Sequence, residues 1–137
     1  MPNVRVLVLA TAMACGTVAC GSSKATDAAA TTVAPESLRA TDADVAKGLR
    51  ALQTTAAGIA SVAADKSKAA ALVEELEPAW QPIEGTVKAN DSATYLAIED
   101  AFALLEKGAA AGDAAKAQQG ADAVAKAVAT YLAAHPA

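Results

Sequence analysis

Four side chains in the second half of the chain have the types and the spacing of a metal site. Glu77 and Glu84 are seven residues apart, so they share one edge of a helix, and Glu99 falls on the next helical segment. His135, the only histidine, lies near the end of the last segment. In an antiparallel bundle these segments bring Glu84, Glu99 and His135 near one end. Inward-facing carboxylates with a histidine are typical ligands of hard metal ions, so the pattern predicts a metal site.

Four further side chains are candidates for the same site. They either lie one helical turn from a predicted ligand, follow one directly, or stand beside the two prolines of the second segment. They are Trp80, Tyr95, Asp100 and Tyr131. The alternative for the glutamates is that they are solvated edge residues that pair with Lys88 or Lys107, with His135 a terminal residue near a favourable helix end.

The stretch LEPAWQPIEG holds the only tryptophan between two prolines, Pro78 and Pro82. An interior proline lacks a backbone donor and clashes with the carbonyl four residues earlier. A kink or break is therefore expected between residues 79 and 81. Two readings stay open: Trp80 fills the gap that the bend leaves, or the bend opens the bundle beside Glu77 and Glu84.

The elements that position these residues are predicted to be helices throughout. Alanine, the best helix former, accounts for 41 of 137 residues, and aromatic residues for only 3%. Apolar side chains recur at three- and four-residue steps over 45–59, 72–87, 95–105 and 124–135. Short links between these segments predict an all-α, up-down-up-down four-helix bundle whose second helix is kinked at Pro78 and Pro82.

Start and stop signals flank these segments. Residues that cap helix amino termini precede each segment, with Ser67 as an alternative in the second and Ser92 in the third. The candidate caps are Thr41, Asp65 or Ser67, Asp91 or Ser92, and Asp113. Asn90 is expected to end the second segment, and Gly108 with Gly112 to end the third.

The amino-terminal segment has the layout of a secretory signal. One positive charge at Arg5 precedes an apolar stretch that is too short to span a membrane, and small residues lead to Cys20. TVAC resembles the lipobox of bacterial lipoproteins, which implies a signal peptide over 1–19 and lipidation of Cys20; AMAC at Cys15 is the alternative. Residues 20–40 then form a flexible tether and 41–137 the folded domain, extracytoplasmic and anchored to the membrane by lipid.

Charge and motif content exclude several function classes. The net charge of −4 argues against nucleic-acid binding, which needs a basic surface. No nucleophile motif, phosphate-binding glycine loop or His-Glu-x-x-His pattern occurs, so the chain is not expected to be an enzyme. A metal-binding lipoprotein and a ligand-free interaction or structural module, with an envelope permease or other protein as partner, are the two functions that stay open.

The carboxy-terminal part of the chain resembles a known group of proteins. A proline-flanked acidic helix with IEG, a YLAIED helix, a GD turn and a closing tyrosine-containing helix lie between residues 76 and 136. They are similar to imelysin-like iron-binding lipoproteins and to the helical extracytoplasmic segments attached to iron permeases. The resemblance implies binding of iron or copper for an uptake system, with Glu84 and Glu99 at the matching positions.

Overall fold

The computed structural model describes residues 39–137, and this part of the chain is all-α. Its five helices are α1 (Asp42–Val62), α2 (Lys66–Val73), α3 (Leu76–Asn90), α4 (Ser92–Ala111) and α5 (Ala114–Ala134). The predicted signal peptide, the lipidated cysteine at 20 or 15 and the tether up to residue 38 lie outside the described residues. Of the helices described, none is long and apolar enough to cross a membrane.

Aspartate or threonine side chains cap four of the helices at their amino termini. The Thr41 hydroxyl accepts from the amide of Asp44, Asp65 accepts from Lys68, and Asp113 accepts from Lys116. Asp91 accepts two amides of α4, and Gly112 ends that helix in the left-handed conformation, at φ 72°. Each bond satisfies backbone groups that the first or last helical turn leaves open. Thr41 and Asp113 are therefore confirmed as caps, and of the alternatives Asp65 caps α2 rather than Ser67, and Asp91 caps α4 rather than Ser92.

The second predicted helix consists of two helices, and the interruption does not fall where we expected it. α2 ends at Val73, residues 74 and 75 form a turn, and α3 restarts at Leu76. This restart places Pro78 third in α3, within the first turn, where a missing N–H costs no helical hydrogen bond. Of the two prolines, only Pro82 therefore lies in the interior of a helix. Pro82 stays inside α3, which continues to Asn90.

The core of the described domain is built from the predicted apolar stripes. Those of α1, α4 and α5 are buried except for the half-buried Tyr95 and His135, and α3 adds Leu76, Trp80, Ile83 and Val87. Leu72 and Val73 of α2 are only half-buried. α1 packs against α5, α3 and α2, and α4 packs against α5, α3 and α2. α3 therefore lies beside α1 and α4, and α5 lies beside the same two helices without packing against α3.

Two glycines bring α4 and α5 into backbone contact. A Cβ atom on Gly108 would lie 2.4 Å from the amide nitrogen of Ala117, and one on Gly120 would lie 2.5 Å from that of Leu105. Both distances are too short for any side chain, so only glycine fits. The contacts run in opposite directions along the two helices, which are therefore antiparallel. Gly108 does not end α4, as we expected, but lies inside the helix at this contact.

Candidate functional site

The buried indole of Trp80 lies at the centre of the α3–α4 contact. Only 1% of the residue is exposed, and its Nε1 donates a hydrogen bond of 2.6 Å to Oε1 of Glu99 on α4. The ring stacks on Tyr95 and meets the edge of Phe102, with 5.9 Å between centroids in both pairs. A buried indole N–H needs an acceptor, and here a carboxylate supplies it. Trp80 thereby fixes one predicted ligand to the α3–α4 surface.

Three of the predicted ligands act electrostatically on the hydroxyl of Tyr95. The charge of Glu99 is the largest cause that raises the pKa of the Tyr95 phenol, followed by burial and then by the charges of Glu84 and Glu77. Glu77 is exposed, whereas Glu84, Glu99 and Tyr95 are half-buried. A phenol that ionised here would add a fourth negative charge to the group. The glutamates of two helices thus create one negative region, which we call the acidic face: Glu77, Glu84 and Glu99 around Tyr95.

Lys88 lies beside the acidic face but forms no direct ion pair with it. Lys88 Nζ lies 4.8 Å from the centroid of the Tyr95 ring, in a cation–π position. Within residues 39–137, the ion pairs closer than 4.0 Å join Lys68 to Asp65 and Lys116 to Asp113, and neither involves the acidic face. The alternative of glutamates paired with Lys88 or Lys107 is thus not seen in the described domain.

His135 lies at the junction of α3 and α4. Its ring packs on Tyr131 with 4.4 Å between centroids, and the Tyr131 hydroxyl accepts a hydrogen bond of 2.9 Å from Asn90 Nδ2. The imidazole is close enough to lower the pKa of Asp91 slightly, although the hydrogen bond from the Thr94 hydroxyl is the largest cause of that shift. These contacts fasten the end of α5 to the junction.

The predicted metal ligands do not form a ready coordination sphere in the part of the protein that the structure describes. There, no three histidine, cysteine, aspartate or glutamate side chains are grouped closely enough to hold an ion. Asp100 is exposed and is not among the charges that shift the Tyr95 pKa. Metal binding by Glu77, Glu84, Glu99 and His135 stays a prediction.

Sequence reasoning missed one residue beside the acidic face. Leu96 is 60% exposed, the one large apolar side chain so exposed among residues 39–137. It lies three residues before Glu99, so the two side chains are neighbours on the surface of α4. Its position outside the repeating apolar stripe of α4 was the available signal. Its side chain offers exposed apolar area one helical turn from a carboxylate.

The chain was compared with protein families, curated proteins and solved structures. No family model, curated protein or solved structure matches the chain. The resemblance to iron-uptake modules therefore stays a prediction from sequence.

Proposed function

We propose that this chain is a non-catalytic extracytoplasmic lipoprotein whose acidic face binds a cationic region of a partner protein. The lipid on Cys20 holds it at the membrane, where an envelope permease is one partner of suitable location. The helices form an up-down-up-down bundle in which α2 and α3 together make the second rod. The contacts between α4 and α5 and those between α3 and α4 are those of antiparallel helices, which supports this topology.

The observation that carries the proposal is the combination of the acidic face with Leu96. Three carboxylates from two helices lie without a close ion pair in the described domain, so they attract positive charge. Leu96 beside them offers apolar area that becomes buried when a protein docks. Interfaces combine an apolar centre with charged surroundings that set orientation and association rate. A metal ion makes no use of the leucine, and a protein surface does.

The test is a calorimetric titration of the full chain in detergent with an oligolysine peptide as the cationic probe. Glu84→Gln together with Glu99→Gln removes two charges from the acidic face. Glu74→Gln with Glu106→Gln is the matched control, because these two glutamates border one surface cavity on the α2–α4 side of the bundle. We expect the first pair to weaken binding about tenfold and the control pair less than about twofold at physiological salt. Equal losses in both variants would remove the acidic face as the binding site.

Metal binding is the second candidate function, and the shared field at Tyr95 favours it. Glutamate oxygens are suitable donors for ferric ions, but in the described residues no three such side chains are grouped to hold one, so binding would have to draw Glu84 and Glu99 together. Because Trp80 donates to Glu99, an ion that engages this carboxylate changes the indole environment and its emission. Titration of the full chain with ferric, cupric and zinc ions tests this function. If the titration gives no heat and no emission change at micromolar protein, metal binding is eliminated and the protein partner remains.

A further inference from the structure

Lys88 shows which kind of cation the acidic face accommodates. Its Nζ lies over the Tyr95 ring at 4.8 Å, although Glu84 is four residues earlier on the same helix, a spacing that often forms an ion pair. No such pair closer than 4.0 Å is present in the described domain. The ammonium therefore sits on the aromatic ring, within the field of carboxylates from α3 and α4. The chain itself places a primary ammonium at the centre of its acidic face.

We propose that the acidic face recognises a lysine side chain of the partner above Tyr95, and that Lys88 occupies this position in the free protein. The inference rests on the proposed function and specifies the chemistry of its ligand. Lys88 is exposed and lies on a flexible stem, so it can leave the ring when another ammonium arrives. It then acts as an internal competitor that lowers affinity for weakly charged partners.

The geometry of Glu99 favours ammonium over guanidinium. A guanidinium group binds a carboxylate best through two parallel hydrogen bonds, one to each oxygen. Oε1 of Glu99 already accepts the indole N–H of Trp80 at 2.6 Å, and the buried indole cannot turn away. A lysine ammonium can bind the second carboxylate oxygen of Glu99 and the Tyr95 ring, whereas a guanidinium would need both oxygens of Glu99 for its preferred geometry.

The test compares Lys88→Gln with Lys126→Gln in the full chain. Both replace an exposed lysine and change the net charge equally, but Lys126 lies on α5, which does not pack against α3 in the described domain. We expect Lys88→Gln to raise affinity for oligolysine about two- to fivefold, the size of a surface cation–π contact. Lys126→Gln should change it less, because Lys126 borders Ala93 and Ala97 on the α5 side of α4 and not the α3 side. Equal effects of the two variants, or weaker binding by Lys88→Gln, would overturn the competitor role.

An oligoarginine peptide of equal length separates the remaining outcomes. Arginine usually binds aromatic and carboxylate surfaces more tightly than lysine, so equal or tighter binding of oligolysine supports ammonium recognition. Tighter binding of oligoarginine contradicts it and leaves the proposed function intact. If neither peptide binds the wild type or any variant, the proposed function fails together with this inference.

Discussion

The α4–α5 pair and the α3–α4 pair solve the same packing problem in opposite ways. Between α4 and α5, Gly108 and Gly120 let the two backbones touch, and small residues fill the contact. Between α3 and α4, the helices are separated by Trp80, Tyr95 and Phe102. An alanine-rich chain can close its core either by bringing helices together or by inserting large rings. Only the second solution brings a polar indole inward, and its hydrogen bond holds a carboxylate at the surface.

Replacing Trp80 should have the largest effect on stability, because it removes the centre of the wider contact. Trp80→Ala is expected to lower the free energy of unfolding by about 3–5 kcal/mol. Trp80→Phe keeps most of the apolar area and loses the bond to Glu99, so it should cost less, about 1–3 kcal/mol. Urea denaturation followed by circular dichroism measures both. Similar losses in the two variants would mean that the hydrogen bond, not the ring area, dominates this contact.

A single added methyl group should destabilise the backbone contact between α4 and α5. Gly120→Ala is expected to cost about 1–3 kcal/mol, because the new Cβ meets the backbone of Leu105, which cannot move aside without shifting α4. Gly85→Ala is the matched control on α3, since a Cβ there meets nothing within 4 Å. It should stabilise the protein by about 0.5–1 kcal/mol through helix propensity. A neutral Gly120→Ala in thermal unfolding would show that α4 and α5 are not in backbone contact.

Short-range features of this molecule could be predicted from sequence. The caps depend on residues two or three positions apart: Thr41 and Asp113 form as expected, and Asp65 and Asp91 are each one of two predicted alternatives. Burial of the apolar stripes followed in the same way from helical periodicity. Both signals are local, so they do not require knowledge of which helices meet.

Features that depend on neighbouring helices could not be predicted in this way. Glycine is common at helix ends, so Gly108 was expected to end α4. Only its contact with Ala117 shows why it lies inside the helix. The interruption before Pro78 reflects a choice between bending a helix and restarting it, which the proline rule alone leaves open. Likewise, the place of Lys88 over Tyr95 requires the pairing of α3 with α4.

Asp91, at the junction of α3 and α4, should make a smaller and pH-dependent contribution to the free energy of unfolding. Hydrogen bonds from the Thr94 hydroxyl and amide hold the pKa of Asp91 below its usual value. The folded state therefore gains stability above the unfolded pKa of about 3.9 and loses it as pH falls through the lower folded pKa. Asp91→Asn keeps a capping side chain but cannot titrate, so its unfolding free energy should fall less between pH 5 and pH 2. Identical pH dependence in wild type and variant would exclude this contribution.

The smallest expected change concerns the electrostatics of the acidic face alone. Glu99→Gln removes the largest cause of the raised Tyr95 pKa, so the phenol should ionise at lower pH than in the wild type. Glu106→Gln, on the same helix but outside the face, should leave the titration unchanged. Ultraviolet absorbance between pH 8 and pH 12 follows both variants. An unchanged Tyr95 transition in Glu99→Gln would place that carboxylate away from the phenol.

Backbone chemical shifts recorded by NMR during addition of oligolysine test the central claim most directly. The account predicts that amide shifts cluster over residues 77–88 of α3 and 95–99 of α4, while residues 114–130 of α5 stay unchanged. The same pattern should vanish in the variant with Glu84→Gln and Glu99→Gln. Shifts spread evenly over all helices, or confined to α5, would contradict a cation-binding face between α3 and α4.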